Sequence, residues 1–167
     1  MSYGEMDAVD KILSKYGLEI SKKLVEDIKS KPVTKFGSVN ASGKLANSIN
    51  FIVQDGKLQV KGLDYIYYLE KGRGPTKKKG DKPLRVIIEQ WIVDKGIISD
   101  ISTKSLAFLI ARKIHREGTD IYQQGGSDLV SGILTDKLLG EIKSDLILLF
   151  TGIVVREMKS TITGISR

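Results

Sequence analysis

The sequence has no cysteine and a single histidine, His115, in 167 residues. Without cysteine no disulfide can form, which is typical of a reducing compartment, although a protein assembled in a cytoplasm and later released inside a particle would look the same. Catalytic triads and histidine-based metal sites need several such side chains, so these chemistries are largely excluded. His115 stands between Lys113 and Arg116, which favours an exposed position on a polar helix face over a catalytic role.

Long apolar runs are also missing. The longest, residues 146–155 (LILLFTGIVV), is well short of the roughly 20 residues that cross a bilayer, so we expect no membrane partner. Two interpretations of this run stay open, a core segment and an interface between subunits. The N-terminus, MSYGEMDAVD, has acids where an export signal has basic residues, so no export signal is expected.

Hydrophobic residues make up 41% and charged residues 28% of the chain, close to the averages of globular proteins. The length fits a single domain over residues 1–167. Acidic pairs such as Glu26 with Asp27 fall on polar faces of predicted helices, where solvated charge is their ordinary explanation. Since no carboxylate cluster stands out, we expect no enzyme, no metal and no cofactor.

The excess positive charge is concentrated in one loop, residues 71–85, bracketed by glycines. It carries a net charge of +6 of the +7 of the whole chain, so the remainder is nearly neutral. This pattern points to a polyanion or an assembly partner rather than to a uniformly basic surface. The loop has one acid, Asp81, and seven basic residues: Lys71, Arg73, Lys77, Lys78, Lys79, Lys82 and Arg85.

The glycines of this loop do not form a nucleotide-binding motif. Gly74 and Gly80 are separated by five residues, and Asp81 follows where a Walker A loop has Lys-Ser or Lys-Thr. The remaining attraction for phosphate is electrostatic and should be strongly salt-dependent. An alternative is that the lysines only solvate a surface loop.

Hydrophobic spacing predicts the first half of the fold. An amphipathic helix is expected from Asp7 to about Lys31, with Pro32 ending it. A short helical turn capped by Ser42 should follow. A β-hairpin over about residues 49–62 is then indicated by two alternating segments around Asp55-Gly56.

The second half of the chain is predicted to be mostly helical. A short helix over residues 64–72 ends at glycine, and its three tyrosines, Tyr65, Tyr67 and Tyr68, are expected to pack in the core. Two further helices follow, one from Pro83 to Lys95 and one capped by Ser102 or Thr103 and ending at Gly118. Their apolar stripes are Leu84, Ile87, Ile88, Trp91 and Ile92, and Leu106, Ala107, Leu109, Ile110 and Ile114.

The C-terminal part has a glycine-rich segment, residues 119–127, that looks like an exposed loop or arm. Beyond Asp128 the spacing favours a long helix, although after Phe150 the β-branched residues would suit a strand equally well. The order of elements predicts an α+β fold, in which a small antiparallel sheet including the hairpin packs against the N-terminal helix and several C-terminal helices.

The order of motifs from Tyr65 to about Thr119 resembles that of head-to-tail connector and tail-completion (neck) proteins of tailed bacteriophages. The segments that carry the resemblance are YIYYLEKGRGPTKK, the tryptophan helix PLRVIIEQWIVDKGI, and SLAFLIARKIHREGT. They cover about a third of the chain, and the predicted N-terminal helix and hairpin lie where the family has them. The C-terminal third departs most.

The resemblance implies a virion structural protein, assembled in the host cytoplasm, with several copies in a ring around the path of the genome at the portal-to-tail junction. It implies that Gly72, Arg73, Gly74 and Pro75 shape a loop that faces a neighbouring subunit or the DNA channel. Lys77, Lys78, Lys79 and Lys82, with Arg85, would meet phosphate or an acidic partner. The implied partners are other copies of the chain, the portal or adaptor, tail proteins and packaged DNA.

Two alternatives remain from the residues themselves. One is a stand-alone DNA-binding module that uses the basic loop. The other is a small nuclease or hydrolase that relies on carboxylates and added magnesium.

Overall fold

The computed structural model describes residues 3–34, 37–76 and 83–165. Within these ranges the fold is α+β, as predicted, with mostly helical structure and one two-stranded antiparallel sheet. The elements in chain order are α1 (Tyr3–Ser30), α2 (Lys44–Ser48), β1 (Asn50–Gln54), β2 (Lys57–Lys61), α3 (Ile66–Lys71), α4 (Leu84–Lys95), α5 (Thr103–Glu117), α6 (Asp120–Gln123) and α7 (Asp136–Ile165).

The described residues group into two compact units. The first comprises residues 3–22, 50–61 and 133–165, which are the start of α1, the hairpin and α7. The second comprises residues 23–34, 37–49, 62–76 and 83–132, and it contains the end of α1 and α2 through α6. The expectation of a single domain stays a prediction.

Helix α1 confirms the predicted amphipathic pattern, but it begins four residues earlier than expected and ends at Ser30. Pro32 follows, which cannot donate the next backbone hydrogen bond. The predicted apolar stripe is buried along the whole helix: Val9, Leu13, Tyr16, Ile20, Leu24 and Ile28. Burial of this stripe is the main stabilising contribution of the helix, because helix propensity alone is marginal.

The hairpin confirms the prediction from Asp55-Gly56. Both residues have positive φ angles, 52° and 70°, as a two-residue turn of type I′ requires. One face of the hairpin is half-buried, and its cross-strand pairs are Phe51 with Val60 and Val53 with Leu58. The backbone N–H of Gly56 also donates to the Asp10 carboxylate at 2.9 Å.

Gly17 lets the hairpin approach α1 closely. A Cβ atom at this position would lie 2.5 Å from the Phe51 ring and 2.7 Å from a Leu58 methyl group, well inside van der Waals contact. A mid-helix glycine costs about 1 kcal/mol relative to alanine. The close packing of Phe51 and Leu58 against the helix backbone, which only glycine allows, offsets that cost.

We expect Gly17→Ala to lower the free energy of unfolding by about 1–2 kcal/mol, because overpacking against Phe51 outweighs the gain in helix propensity. Gly152→Ala on α7 is the matched control. A Cβ there meets nothing within 4 Å, so that variant should gain about 0.5–1 kcal/mol. Urea unfolding of both variants checks the opposite signs, and equal stabilisation would contradict this packing.

In the second unit, α4 and α5 pack together around Leu84, Ala111 and Ile114, with Ile88 and Ile110 against them. The predicted helix ends are confirmed at Gly96 and Ser102, whereas Pro83, expected as the first helical residue, lies one position outside α4. Pro83 precedes α4, Gly96 ends it in the left-handed conformation, and the Ser102 hydroxyl caps α5 by accepting from the Ser105 N–H. The predicted cap of α2 is wrong, since Gly43 holds that position with a φ of 77°.

Several sequence-based assignments to the core are wrong. Ile87 and Leu109 lie in the predicted stripes of α4 and α5 but are exposed, whereas Ala107, Ala111 and Ile114 are buried. These stripes are wider than the contact that each helix makes, because a short helix on the surface of a small unit buries only a narrow face.

The glycine-rich segment 119–127 is not an exposed arm. It contains α6, whose Ile121 is buried, and it ends at the buried Ser127. The Thr119 side chain caps α6 by accepting from the Tyr122 N–H. Thr119 is thus the N-cap residue of a short helix within a segment that was predicted to be a loop.

Helix α7 continues to Ile165 without the strand that the β-branched residues allowed. The core interpretation of residues 146–155 is wrong for much of the run. Five of its apolar side chains are exposed, and Leu148 has the largest exposed fraction of them, 71%. Among the described residues, no helix is both long and apolar enough to span a membrane. The exposed members of the run are Ile147, Leu148, Phe150, Val154 and Val155.

Candidate partner or nucleic-acid interface

The structure describes both ends of the basic loop, residues 71–76 and 83–85, and residues 72–76 are here called the loop stem. The loop stem contains four of the predicted site residues: Gly72, Arg73, Gly74 and Pro75. Arg85 lies at the other end of the loop, exposed in the first turn of α4. The remaining predicted residues, Lys77, Lys78, Lys79 and Lys82, lie outside the described residues.

Gly72 ends α3 with a φ of 74° and a ψ of 168°, a conformation that essentially only glycine adopts. A Cβ here would lie 2.2 Å from the Tyr122 backbone nitrogen and 2.4 Å from its Cα. Only hydrogen fits between these two backbone segments. Two features of the structure therefore require glycine at position 72: its backbone angles and its close contact with α6.

Arg73 and Thr119 join the stem to the start of α6 through two hydrogen bonds. The Arg73 N–H donates to the Thr119 hydroxyl at 3.0 Å, and the Thr119 N–H donates to the Arg73 carbonyl at 2.8 Å. Gly118 makes room for this contact, because a Cβ there would lie 2.8 Å from the Arg73 carbonyl oxygen. The Gly-Arg-Gly and Gly-Thr sequences thus meet in space.

Tyr122 covers the next residue of the stem. Its ring would lie 3.1 Å from a Cβ at Gly74, so a side chain there would push the ring away. Gly72, Gly74 and Gly118 together surround this one tyrosine. Their spacing in the sequence reflects a close approach of backbone and ring rather than flexibility.

Thr76 closes the stem against the end of α5. Its N–H donates to the His115 carbonyl at 3.1 Å, and its hydroxyl lies 2.6 Å from His115 Nδ1. The Arg73 guanidinium donates to the same hydroxyl at 3.3 Å. Because the hydroxyl accepts from Arg73, it can donate its own proton to Nδ1 of a neutral His115. His115 is exposed, as predicted, and it contacts the last residue of the loop stem.

Two tyrosines on α3 lie just before the stem with exposed rings. Tyr67 is 64% exposed, and its ring meets that of Tyr68 edge to face at a centroid distance of 5.8 Å. The prediction that Tyr65, Tyr67 and Tyr68 pack in the core is wrong, because all three side chains are exposed. Tyr65 is partly exposed, and burial is the main cause that raises its pKa, against a weaker opposing hydrogen bond with the Leu45 backbone.

Glu70, two residues before Gly72, binds the turn that precedes α7. Its carboxylate accepts hydrogen bonds from the Val130 N–H at 2.9 Å, the Ser131 N–H at 3.2 Å and the Ser131 hydroxyl at 2.6 Å. Burial acts to raise the pKa of Glu70, but these bonds together outweigh it and hold the pKa below its ordinary value of 4.5. The carboxylate therefore anchors the end of α3 in its ionised form.

Replacing Glu70 with Gln should lower the free energy of unfolding at neutral pH by about 1–2 kcal/mol, because an amide cannot accept all three bonds and the group is partly exposed. Since the pKa of Glu70 is lower in the folded state, its contribution is complete well above pH 4.5 and disappears as the pH falls through the folded value. The difference between wild type and Glu70→Gln should therefore shrink on acidification.

Denaturant unfolding at a series of pH values measures this difference. Glu26→Gln, on an exposed part of α1, is the control, and it should show almost no loss at any pH. A deficit of Glu70→Gln that stayed constant down to strongly acidic pH would contradict the role of the ionised carboxylate.

The residues that contact the loop stem were not predicted as a group. Thr76, Thr119 and Tyr122 had no signal of their own, although a threonine before a short polar segment is a recognisable N-cap. No group of three histidines, aspartates or glutamates in the described ranges could hold a metal ion. The loop stem is thus fixed by hydrogen bonds and close contacts at the base of a charged loop, and exposed tyrosines lie just before it in the sequence.

Searches against protein-family models, curated proteins and solved structures found no match to this chain. The likeness to phage neck proteins therefore rests on the motifs in the sequence.

Proposed function

We propose that this chain is a structural protein of the phage neck, a head-to-tail connector or tail-completion subunit. In this role several copies form a ring at the portal-to-tail junction around the path of the genome. The chain has no catalytic function in the proposal. Its location is the virion, after assembly in the host cytoplasm.

The observation that carries the proposal is the contact between the motifs of the resemblance. Arg73 and Thr119 are 46 residues apart in the sequence and share two hydrogen bonds. Gly72, Gly74 and Gly118 make that contact sterically feasible. Two of the three motifs thus form one structural element, the base of the basic loop, and the tryptophan helix packs against the third motif through Leu84 and Ile88.

The chemistry of the surface supports a partner contact at this place. Arginine and tyrosine are enriched in protein interfaces, because they combine large contact area with polar groups. Tyr67 and Tyr68 are exposed beside the stem, and the loop that follows has most of the excess positive charge of the chain. Such a surface suits an acidic neighbouring subunit or the phosphates of DNA.

Quantitative peptide mass spectrometry on purified particles tests the proposal. The abundance of this chain is compared with those of the portal and major capsid proteins. A low, integer copy number in a fixed ratio to the portal supports a neck subunit. Absence of the chain from intact particles would contradict the proposal.

The charge of the loop also supports a second candidate, a stand-alone DNA-binding module. Binding of the isolated protein to duplex DNA over a range of salt concentrations separates the two. A module should bind tightly, with a steep salt dependence that decreases when Lys77, Lys78 and Lys79 are all replaced by alanine. Weak binding that is insensitive to these substitutions would exclude it.

A further inference from the structure

Helix α7 has apolar side chains on two opposite faces. The face towards α1 is set by Asp145, which accepts hydrogen bonds from the Tyr16 hydroxyl at 2.8 Å and the Lys15 ammonium at 3.1 Å. On the same side Leu138 is buried, and Ile142 and Leu149 are half-buried. These contacts determine which side of α7 is turned outward.

The outward face has an apolar stripe at helical spacing, here called the α7 stripe. It starts at Ile147, extends over about four turns, and contains a shallow depression between Ile147 and Val155. A stripe of this length on an exposed helix is typical of a surface that pairs with another helix. Its exposed apolar residues are Ile147, Phe150, Val154, Val155, Met158 and Ile162.

The charges beside the stripe are complementary under a two-fold rotation. Glu141 and Lys159 are 18 residues apart, which is five full turns at about 3.6 residues per turn, so they project in the same direction. Lys143 and Glu157 are 14 residues apart, slightly less than four turns, and lie on the other side. All four side chains are exposed.

Both pairs are centred on residue 150. If two α7 helices pair antiparallel with Phe150 of each copy next to the two-fold axis, Glu141 of one copy lies level with Lys159 of the other. Lys143 then lies level with Glu157. In an antiparallel pair, residues on the same side of the stripe face each other, so each dimer gains four contacts between opposite charges.

The same register matches the apolar residues. Ile147 of one copy lies close to Val154 of the other, and both side chains are exposed. The antiparallel direction also places the positive end of each helix dipole beside the negative end of its neighbour, which is mildly favourable.

We propose that the α7 stripe binds the α7 stripe of a second copy of this chain, antiparallel and centred on Phe150. A pair with a two-fold axis is closed by its own symmetry, unlike the head-to-tail contacts that the proposed ring needs. This contact is therefore additional to the ring and stands whether or not the chain is a neck protein. A single pair of helices buries less than the roughly 800 Å² per partner of a standard interface, so we expect dissociation in the micromolar range.

Charge reversal in the full-length chain tests the register. Lys143→Glu and Glu157→Lys should each weaken the dimer about fivefold or more, as measured by sedimentation equilibrium, because each places two pairs of like charges in the interface. The double variant restores both pairs and should return to near wild-type affinity. The two residues are roughly 21 Å apart within one helix, at about 1.5 Å per residue, so contacts inside one copy cannot produce this recovery.

Cross-linking tests the direction, and the absence of native cysteine makes it specific. Thr151→Cys lies next to the two-fold axis and should form a covalent dimer on mild oxidation. Met158→Cys is the control on the same stripe. In the antiparallel pair its two copies are roughly 24 Å apart along the helix axis, at about 1.5 Å per residue, and no disulfide should form.

A monomer at all concentrations, without cross-linking at Thr151→Cys, would overturn the proposal and leave another protein as the partner of the stripe. Equal cross-linking at Thr151→Cys and Met158→Cys would indicate a parallel pair and would also overturn it. Failure of the double charge reversal to recover affinity would contradict the register. Circular dichroism of each variant confirms that the helices are intact.

Discussion

Gly72→Ala is expected to lower the free energy of unfolding by about 3–5 kcal/mol, one of the largest effects of any single substitution in this chain. Two costs add at this position. A φ of 74° with a ψ of 168° is strained for any residue with a side chain, and the new methyl group would overlap the Tyr122 backbone. Relief would require α6 and the loop stem to separate.

Gly96→Ala is the control for the backbone angle alone. Gly96 also has a positive φ, 64°, but a Cβ there meets nothing within 4 Å. That variant should lose only about 1 kcal/mol. Denaturant unfolding compares the two, and similar losses would show that the stem does not press against α6.

The same substitution should reduce partner binding before the protein unfolds completely. Separation of α6 from the stem would break the hydrogen bonds between Arg73 and Thr119. The start of the basic loop would then be displaced from its position in the wild-type protein. In the proposed neck function, particles made with Gly72→Ala should contain less of this chain than particles made with Gly96→Ala. Peptide mass spectrometry of both particle preparations measures the difference.

The second large effect is expected at Leu129, in the turn held by Glu70. Its side chain is only 1% exposed. Leu129→Ala should lower the free energy of unfolding by about 2–5 kcal/mol, because it removes buried methyl groups and leaves a cavity. The measurement is urea unfolding monitored by far-ultraviolet circular dichroism.

Leu109→Ala is the matched control, with the same chemical change on a side chain that is 52% exposed in the same unit. It should cost well under 1 kcal/mol, as is usual for surface substitutions. This comparison also tests sequence pattern against observed burial. The spacing of apolar residues assigned Leu109, and not Leu129, to the core, whereas the structure buries Leu129. Equal losses would contradict the burial of Leu129.

Part of the candidate site could be predicted from the sequence. The charge of the loop, its glycines and the residues Gly72 to Pro75 were identified because composition and short motifs are local properties. The partners of these residues were not, since Thr119, Tyr122 and His115 are 39 or more residues away in the sequence and reach the stem only in the folded chain. The four lysines between the stem and α4 stay predictions, because they lie outside the described residues.

The sequence by itself determined the elements whose signals are local. The apolar stripe of α1, the Asp55-Gly56 turn and the glycine ends of α4 and α5 follow from periodicity, from tolerated backbone angles and from capping, and all agree with the structure. An α+β fold followed from their order.

Tertiary structure alone decided which apolar residues of α7 are buried. The run at residues 146–155 is apolar on all sides, so its spacing could not say which face meets α1 and which stays exposed. The hydrogen bonds from Tyr16 and Lys15 to Asp145 select one face, and the other becomes the α7 stripe. Burial is a property of pairs of elements, and a pattern within one element specifies it only when that element has a single apolar face.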